Sequence, residues 1–311
     1  MKKLKILVTG GAGFIGSNNA DAFIQEGHSV TIIDNLSSGN KKNINPKATF
    51  HKVDITDKRR VAEIFTKGRF DIVDHHAAQI DVRKSVEDPA FDARMNILGS
   101  LNLLDNCRRT GVKKFIFASS GGTIYGECGK KAPDESFPGN PLSPYGIAKF
   151  TVEFYMKFYA EIFGLKYTIL RYANVYGPRQ DPHGEAGVVA IFSQRMLKGE
   201  PIKIFGDGKQ MRDYVFVGDV VRANCAALYR GDNETINIGT GELTSVNELV
   251  KLMSRSAEYT RKPDYKPARP GELFKSFLNA KKASRVLGWK PHVKISKGLE
   301  ETISFFGSIQ K

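Results

Sequence analysis

Residues 7–17 read LVTGGAGFIGS, and this stretch restricts the fold more than any other part of the chain. An apolar run meets a cluster of glycines, and apolar residues then resume at helical spacing. Gly11, Gly13 and Gly16 fit G-x-G-x-x-G, while Gly10, Gly13 and Gly16 fit the related G-x-x-G-x-x-G. Without β-carbons the chain turns tightly, and its backbone can approach a pyrophosphate lying on the helix N-terminus. A second strand-like run, SVTIID, ends at Asp34. A carboxylate there accepts hydrogen bonds from an adenosine ribose and repels a 2′-phosphate. Asn35 and Leu36 follow with no arginine, so the pattern favours NAD over NADP. The plain alternative is an aspartate that only caps a turn. Asp54 and Ile55, closing the third strand-like run, are weaker candidates for the adenine.

LKILVTG, SVTIID, TFHKVDI, DIVDHHAA, KKFIFASS and KYTILRY are short, β-rich and nearly continuously apolar. That is how parallel strands buried on both faces read. Helical stretches such as SNNADAFIQEG and NILGSLNLLDNCRRTG lie between them, the latter with Gly111 as its C-cap. The alternation predicts an α/β chain with a Rossmann-type doubly wound parallel sheet and a smaller C-terminal substrate-binding lobe. The division expected is 1–175 for the nucleotide-binding part and 176–311 mainly for the substrate lobe. The run ETINIGT suggests that a segment near 215–240 returns to the sheet.

The 311 residues can bury a core without disulfide staples. Three cysteines, with no C-x-x-C spacing, argue against both a disulfide framework and a zinc site. No apolar run approaches the roughly 20 residues of a membrane span, and the head MKKLKILVTGG has too short an apolar run for a signal peptide. A cytoplasmic protein is the expectation. The net charge of +14 is spread in twos and threes, with no basic stripe interleaved with aromatics. It fits an acidic small molecule at least as well as nucleic acid, which is not expected as a partner.

Tyr145 and Lys149, in SPYGIAKF, stand one helical turn apart on one face. A neighbouring ammonium favours the phenolate, and such a phenol can exchange a proton with a sugar hydroxyl while hydride moves to or from a nicotinamide. The bland reading is a packed tyrosine beside a solvated lysine. His75-His76 resembles a metal pair, but neighbours on a strand face opposite ways, so no metal is expected. Ala77 and Ala78 suggest close backbone approach to a ligand.

With these residues in view, the chain closely resembles the extended short-chain dehydrogenase/reductases, and within them the nucleotide-sugar 4-epimerases of the UDP-glucose 4-epimerase type. The resemblance runs nearly end to end, through TGGAGFIGS, DNLSSG, HAAQ, NILGSLNLL, SPYGIAK, LRYANVYGPRQ, FGDGKQMRDYVFVGDV, NIGTG, ARPGE and LGWKP. It implies NAD kept bound through the cycle and a catalytic Ser/Thr, Tyr and Lys. Carried onto these motifs, it implies cofactor contacts from Phe14, Ile15, Ser38, Gly39, Gln79, Asn96 and Tyr172, besides the residues above. Arg212 and Arg269 match positions that hold substrate phosphates, for which guanidinium forks are suited. Asn174 matches a contact to the sugar nucleotide, and Val189 and Phe192 lie in the segment expected over the uridine. A homodimer is implied as well, through the helix carrying Val152, Tyr155, Met156, Tyr159 and Ile162 and the one near Asn96.

KKFIFASSGGTIYGE departs from the family pattern. The usual hydroxyl position is Gly121. Ser120 is the first choice to hold the sugar O4 with Tyr145, and Thr123 the second, with Gly121-Gly122 giving the strand end freedom to shift by a residue. Dehydratases of the family carry Asp-Glu after the hydroxyl residue; here Gly and Thr stand instead, so elimination has no acid or base and epimerisation fits. UDP-glucose and UDP-galactose are the expected pair. UDP-glucuronate, with Arg83 near the sugar, and the UDP-N-acetylhexosamines are alternatives. Outside enzymes, an NAD-binding regulatory protein is the rival.

Overall fold

The computed structural model describes residues 2–127, 129, 131–183, 187–268 and 273–310. Seven strands form one sheet: β1 (Lys5–Thr9), β2 (Ser29–Asp34), β3 (Thr49–Lys52), β4 (Ile72–His75), β5 (Lys114–Ser120), β6 (Lys166–Tyr172) and β7 (Glu234–Ile238). Their order is β7-β6-β5-β4-β1-β2-β3, and every pair is parallel. The order reverses beside β1, and in such sheets ligands bind beyond the carboxyl ends of the strands at that point. This is the doubly wound Rossmann arrangement.

Continuous apolar strands give a sheet with two covered faces, because alternate side chains point opposite ways. In β1, Ile6 and Val8 enter one core, with Phe23, Ile32, Tyr172 and Val220; Leu7 enters the other, with Phe65, Leu103, Phe115, Phe117 and Val152. Helices α1 (Phe14–Gln25) and, from the far part of the chain, Val217–Ala227 pack together on the first face. On the second lie α2 (Lys58–Gly68), α3 (Gly99–Thr110) and α4 (Pro144–Phe163). Gly111 ends α3 in the left-handed conformation at φ 74°, where a β-carbon would be strained. Ahead of α3 the chain makes a π-helical turn at Arg94–Leu98 that carries Asn96.

A third core joins helices Val188–Leu197, Val246–Ser256 and Ile295–Gln310 through Phe192, Met196, Leu249, Met253 and Leu299. The chain does not stay in that lobe once it enters it. β7 lies at the sheet edge beside β6, and Ala283, Leu287 and Trp289 pack into the first core. Short two- and three-residue strands bridge the two parts: Asn174–Tyr176 pairs with Tyr214–Phe216, and Met211–Arg212 pairs with Lys275–Ser276.

Candidate active site

At the end of β1, Gly10 takes φ +69°, and a β-carbon on it would lie 2.6 Å from Ala77 N. Gly16 faces the turn so closely that a β-carbon would sit 2.4 Å from Gly10 O. The turn closes by Gly13 N–H donating to Gly10 O at 3.0 Å. Gly13 heads α1 with no side-chain cap, and Phe14 and Ile15 form its first turn. The helix therefore presents uncapped N–H groups and its positive end to an anion. Asp34, at the end of β2, accepts from Ala12 N–H at 3.0 Å and Leu36 N–H at 2.8 Å. Burial pushes its carboxyl up, against these two bonds. Gly39 leaves room beside it, since a β-carbon there would be 2.9 Å from Asp34 Oδ1; Ser38 precedes it in the same loop.

Asn35 donates to Asp54 at 2.8 Å, and Thr56 donates to the other oxygen. Burial raises the Asp54 carboxyl, but these bonds outweigh it and the net direction is down. Ile55 is buried against Gly99, and its carbonyl accepts from Asn102 at 2.7 Å. Ala77 N–H donates to Thr9 Oγ1 at 3.2 Å, and Ala78 continues that edge. Gln79 and Asn96 are locked together: Gln79 N–H donates to Asn96 Oδ1 at 2.9 Å, and Asn96 Nδ2 returns a bond to Gln79 O. A turn without β-carbons, an uncapped helix start and a carboxylate at the second strand end fit a dinucleotide.

The two histidines do face opposite ways. His75 bridges Thr9 Oγ1 at 2.7 Å and Ser100 Oγ at 2.8 Å, and burial drives its pKa well down. His76 meets Asp74 Oδ2 at 3.0 Å and stacks on Tyr172. Tyr172 is buried there and shares a 3.0 Å bond with Asn224. Among the described residues no group of three or more His, Cys, Asp or Glu is disposed to hold a metal ion.

Ser143 caps α4 and Pro144 occupies its first turn, as expected of a helix start. Tyr145 and Lys149 share the face toward β5. Lys149 Nζ donates to Ala118 O at 2.9 Å, lies 4.7 Å from the Phe117 ring centre and 5.8 Å from that of Tyr145. Here the electrostatics differ from the expectation that the ammonium makes the phenolate easy to form. Burial pushes the Tyr145 phenol up, with the Asp92 carboxylate adding to it, and burial pulls Lys149 down to about 8. Desolvation outweighs the neighbouring charges for both groups, Lys149 being buried and Tyr145 half-buried.

Ser120 is the last residue of β5, and a short helical turn, Gly121–Ile124, starts directly after it. Neither Gly121 nor Gly122 has positive φ. Gly121 is small for space rather than for slippage: a β-carbon on it would meet Leu278 Cδ1 at 2.6 Å. A β-carbon on Gly122 would have Asn174 Oδ1 at 3.7 Å, Ser276 Oγ at 3.8 Å and Ser120 Oγ at 4.0 Å. Three polar groups from three distant segments therefore converge over Gly122. Thr123 packs its carbonyl against the first turn of α4 near Gly146, and its hydroxyl is buried without a hydrogen-bond partner among the described residues.

Arg212 Nη1 donates to Met211 O at 3.0 Å, on the strand that pairs with Ser276. Arg269 lies outside the described residues. Val189 and Phe192 are buried in the third core, where helix packing occupies their side chains. Of the assembly stripe, Val152 and Met156 are buried, whereas Tyr155 and Ile162 are exposed.

Four contributors were not singled out from the sequence. Ser276 stands on a two-residue strand that no periodicity signals. Glu153, one turn beyond Lys149, accepts from Ser119 Oγ at 2.6 Å and binds Arg171 through two bonds, at 2.9 and 2.5 Å, fixing α4 to β5 and β6. Asp213 accepts from Thr240 N–H and Oγ1, Gly241 N–H and Leu278 N–H, while burial pushes its carboxyl up. Its N–H donates to Ser276 O and its carbonyl accepts from Asn174 N–H, both at 2.9 Å. Asp92 is the fourth, accepting from Gln79 Nε2 and Asn96 Nδ2.

Comparison with known proteins agrees with this geometry. The model of the NAD dependent epimerase/dehydratase family matches residues 6–239. The chain is 53% identical to a UDP-glucose 4-epimerase of Thermotoga maritima solved with UDP-glucose, at a TM-score of 0.97 over 98% of this chain and 99% of that one. It is 44% identical to the Thermus thermophilus UDP-glucose 4-epimerase solved with NAD, with a TM-score of 0.92 over 97% and 98% of the two chains. A UDP-glucose 4-epimerase of Mycolicibacterium smegmatis is 42% identical over 309 residues, 97% of this chain and 98% of the relative. With the glycine turn, the carboxylate at Asp34 and the Tyr145–Lys149 face all at the carboxyl end of one parallel sheet, this chain belongs to the NAD dependent epimerase/dehydratase family.

Proposed function

We propose that this chain interconverts the C4 epimers of a UDP-hexose, UDP-glucose and UDP-galactose, with NAD as its cofactor. The observation that carries the reading is the convergence of Ser120, Asn174 and Ser276 over Gly122, beside the helix face that bears Tyr145 and Lys149. NAD, when bound, supplies the hydride acceptor and donor. Gly10, Gly13 and Gly16 leave its pyrophosphate room at the head of α1, and Asp34 takes the adenosine ribose. Tyr145 as phenolate accepts the proton of the sugar O4 and later returns it; Ser120 holds O4 in place. Lys149 keeps a positive charge near the phenol and would hold the nicotinamide ribose when NAD is bound. Arg212 pairs with the diphosphate, about which the 4-keto sugar turns to offer its other face. Elimination has no support, because Gly121, Gly122 and Thr123 hold no carboxylate where an acid and base would stand. A glucuronate substrate is weakened by Arg83, whose guanidinium faces Asp81 at 3.7 Å.

The test is to incubate the purified protein with UDP-galactose, with and without added NAD, and follow UDP-glucose by proton NMR. Conversion supports the reading; no conversion with NAD present removes it for this substrate pair, and UDP-glucuronate and the N-acetyl sugars are the next panel.

A homodimer belongs to the same proposal. Along α4, Ile147, Phe154, Phe158, Ile162 and Phe163 are exposed large apolar residues, and Leu98 is exposed near the start of α3. A contiguous apolar face of this kind is costly to leave in water and is suited to a second copy of itself. Light scattering should report twice the chain mass, and Phe158→Glu should halve it; a monomeric wild type would overturn this.

A further inference from the structure

Asp213 stands between the two-residue strand Met211–Arg212 and the strand Tyr214–Phe216, and it is fully buried. Its carboxylate accepts four hydrogen bonds. Oδ1 takes Thr240 N–H at 2.8 Å and the Thr240 hydroxyl at 2.6 Å, while Oδ2 takes Gly241 N–H at 3.0 Å and Leu278 N–H at 3.3 Å. All four donors are uncharged. An ionised carboxylate is costly to bury unless it is paired or hydrogen-bonded, and only a carboxylate accepts at both oxygens without bringing a donor of its own. An asparagine here would turn an N–H toward Gly241 and Leu278, or toward Thr240.

These bonds join segments that are far apart in the chain. Thr240 and Gly241 follow the end of β7, and Leu278 lies just beyond Ser276. The backbone of Asp213 reaches two further places: its N–H donates to Ser276 O and its carbonyl accepts from Asn174 N–H, both at 2.9 Å. One residue thus binds both segments whose side chains converge with Ser120 over Gly122. Leu278 adds a link to the end of β5, because it fills the space beside Gly121, and it packs with Tyr125 and Ala173. Gly239 shows how closely the carboxylate is seated: a β-carbon there would lie 2.5 Å from Asp213 Oδ2 and 3.1 Å from Ala173 Cβ.

We propose that Asp213 is a positioning residue for the sugar nucleotide: its carboxylate clamps the stretch after β7 and the Ser276–Leu278 segment against the Asn174 strand, and so sets the spacing of the polar groups over Gly122. Being fully buried, it acts through Asn174 and Ser276 rather than on the substrate. The proposal rests on the epimerase reading for the identity of the ligand, and on the hydrogen bonds above for the clamp. A wall held in this way serves binding before it serves chemistry. The four bonds of the carboxylate go to none of Tyr145, Lys149 or the glycine turn, so its loss should reach the sugar nucleotide and spare NAD.

Asp213→Asn keeps the shape, removes the charge and sets an N–H against N–H donors. Gly239→Ala leaves Asp213 itself unchanged and displaces its carboxylate with a methyl group, so the two variants break the clamp by different means. In both, KM for UDP-galactose should rise about tenfold while kcat stays within about twofold, the pattern of binding lost equally from ground and transition states. NAD affinity by calorimetry should be unchanged. Amide exchange read by mass spectrometry should quicken in peptides covering 172–178, 238–243 and 275–279, with peptides of β1 to β4 unmoved. The exchange comparison needs no turnover, so a wild type that leaves UDP-galactose unconverted sinks the epimerase reading while the clamp is still decided. Unquickened exchange at 238–243 in a folded variant overturns the proposal. An equal loss of NAD and UDP-sugar affinity does so too, as does a lower melting temperature with KM unmoved, for that is what a merely stabilising aspartate gives. If Asp213→Asn does not fold, Gly239→Ala carries the same readings.

Discussion

The proposed cofactor side of the site comprises residues 9–16 and the strand end at Asp34, wired by short-range backbone bonds. On the proposed sugar side Ser120, Asn174 and Ser276 meet over Gly122, and Asp213 ties the segments of Asn174 and Ser276 together. On the first side the chemistry resides in what is absent, since a β-carbon at Gly10 or Gly16 would strike backbone. On the second it resides in side chains delivered by packing. The first should tolerate change elsewhere and resist it within its own few residues. The second should be sensitive to substitutions far from the sugar.

The sharpest way to separate binding from chemistry on either side is Tyr145→Phe. It removes the acid/base and leaves both walls intact, so kcat should fall roughly 10³-fold while NAD and UDP-sugar still bind by calorimetry. Near-normal turnover would take Tyr145 out of the mechanism. Next in size is Gly16→Ala. Its β-carbon, 2.4 Å from Gly10 O, forces the turn open, and NAD affinity should drop about 10²-fold, roughly 3 kcal/mol, with UDP binding kept. Equal loss of both ligands would erase the contrast drawn here.

Gly121→Ala is the mirror experiment. Leu278 must yield to a β-carbon 2.6 Å away, a strain of about 1–3 kcal/mol. KM for the UDP-sugar should rise about tenfold, in proportion to that strain, with NAD affinity unchanged. If NAD weakens instead, the two walls are not independent.

The smallest effect concerns stability. Burial pulls Lys149 from 10.5 to about 8, so between these values the unfolded chain binds the extra proton and stability rises with pH. The burial cost is fully present below about pH 8 and fades as pH approaches 10.5. Lys149→Met should therefore raise the melting temperature at pH 7 by about 2 °C, for a gain of about 1 kcal/mol, and flatten that rise. A lower melting temperature would mean that the bond to Ala118 O outweighs desolvation.

Asp92 and Ser276 explain why part of the site was not legible in the chain. The glycine spacing, the Asp34 strand end and the Tyr145–Lys149 turn are each contiguous or one helical turn apart, so their geometry follows from local structure. Ser276 has no such context: a two-residue strand carries no period. Asp92 reads as one more acidic residue in EDPAFDARMN, and only its burial and unmet oxygen mark it. Gly121 could be read as a gap in the family's hydroxyl position, but not as the seat of Leu278, a residue well over a hundred positions away in the chain.

By itself the sequence determined the parallel sheet, the glycine turn and the shared helix face of Tyr145 and Lys149, because periodicity, small residues and i,i+4 spacing act over a few residues. The tertiary structure decided the rest. It set which hydroxyls meet over Gly122, it brought residues 283–289 back onto the first core, and it placed the Lys149 charge in a dry setting. Desolvation and convergence are properties of what surrounds a side chain, and that is supplied by distant segments once the chain has folded.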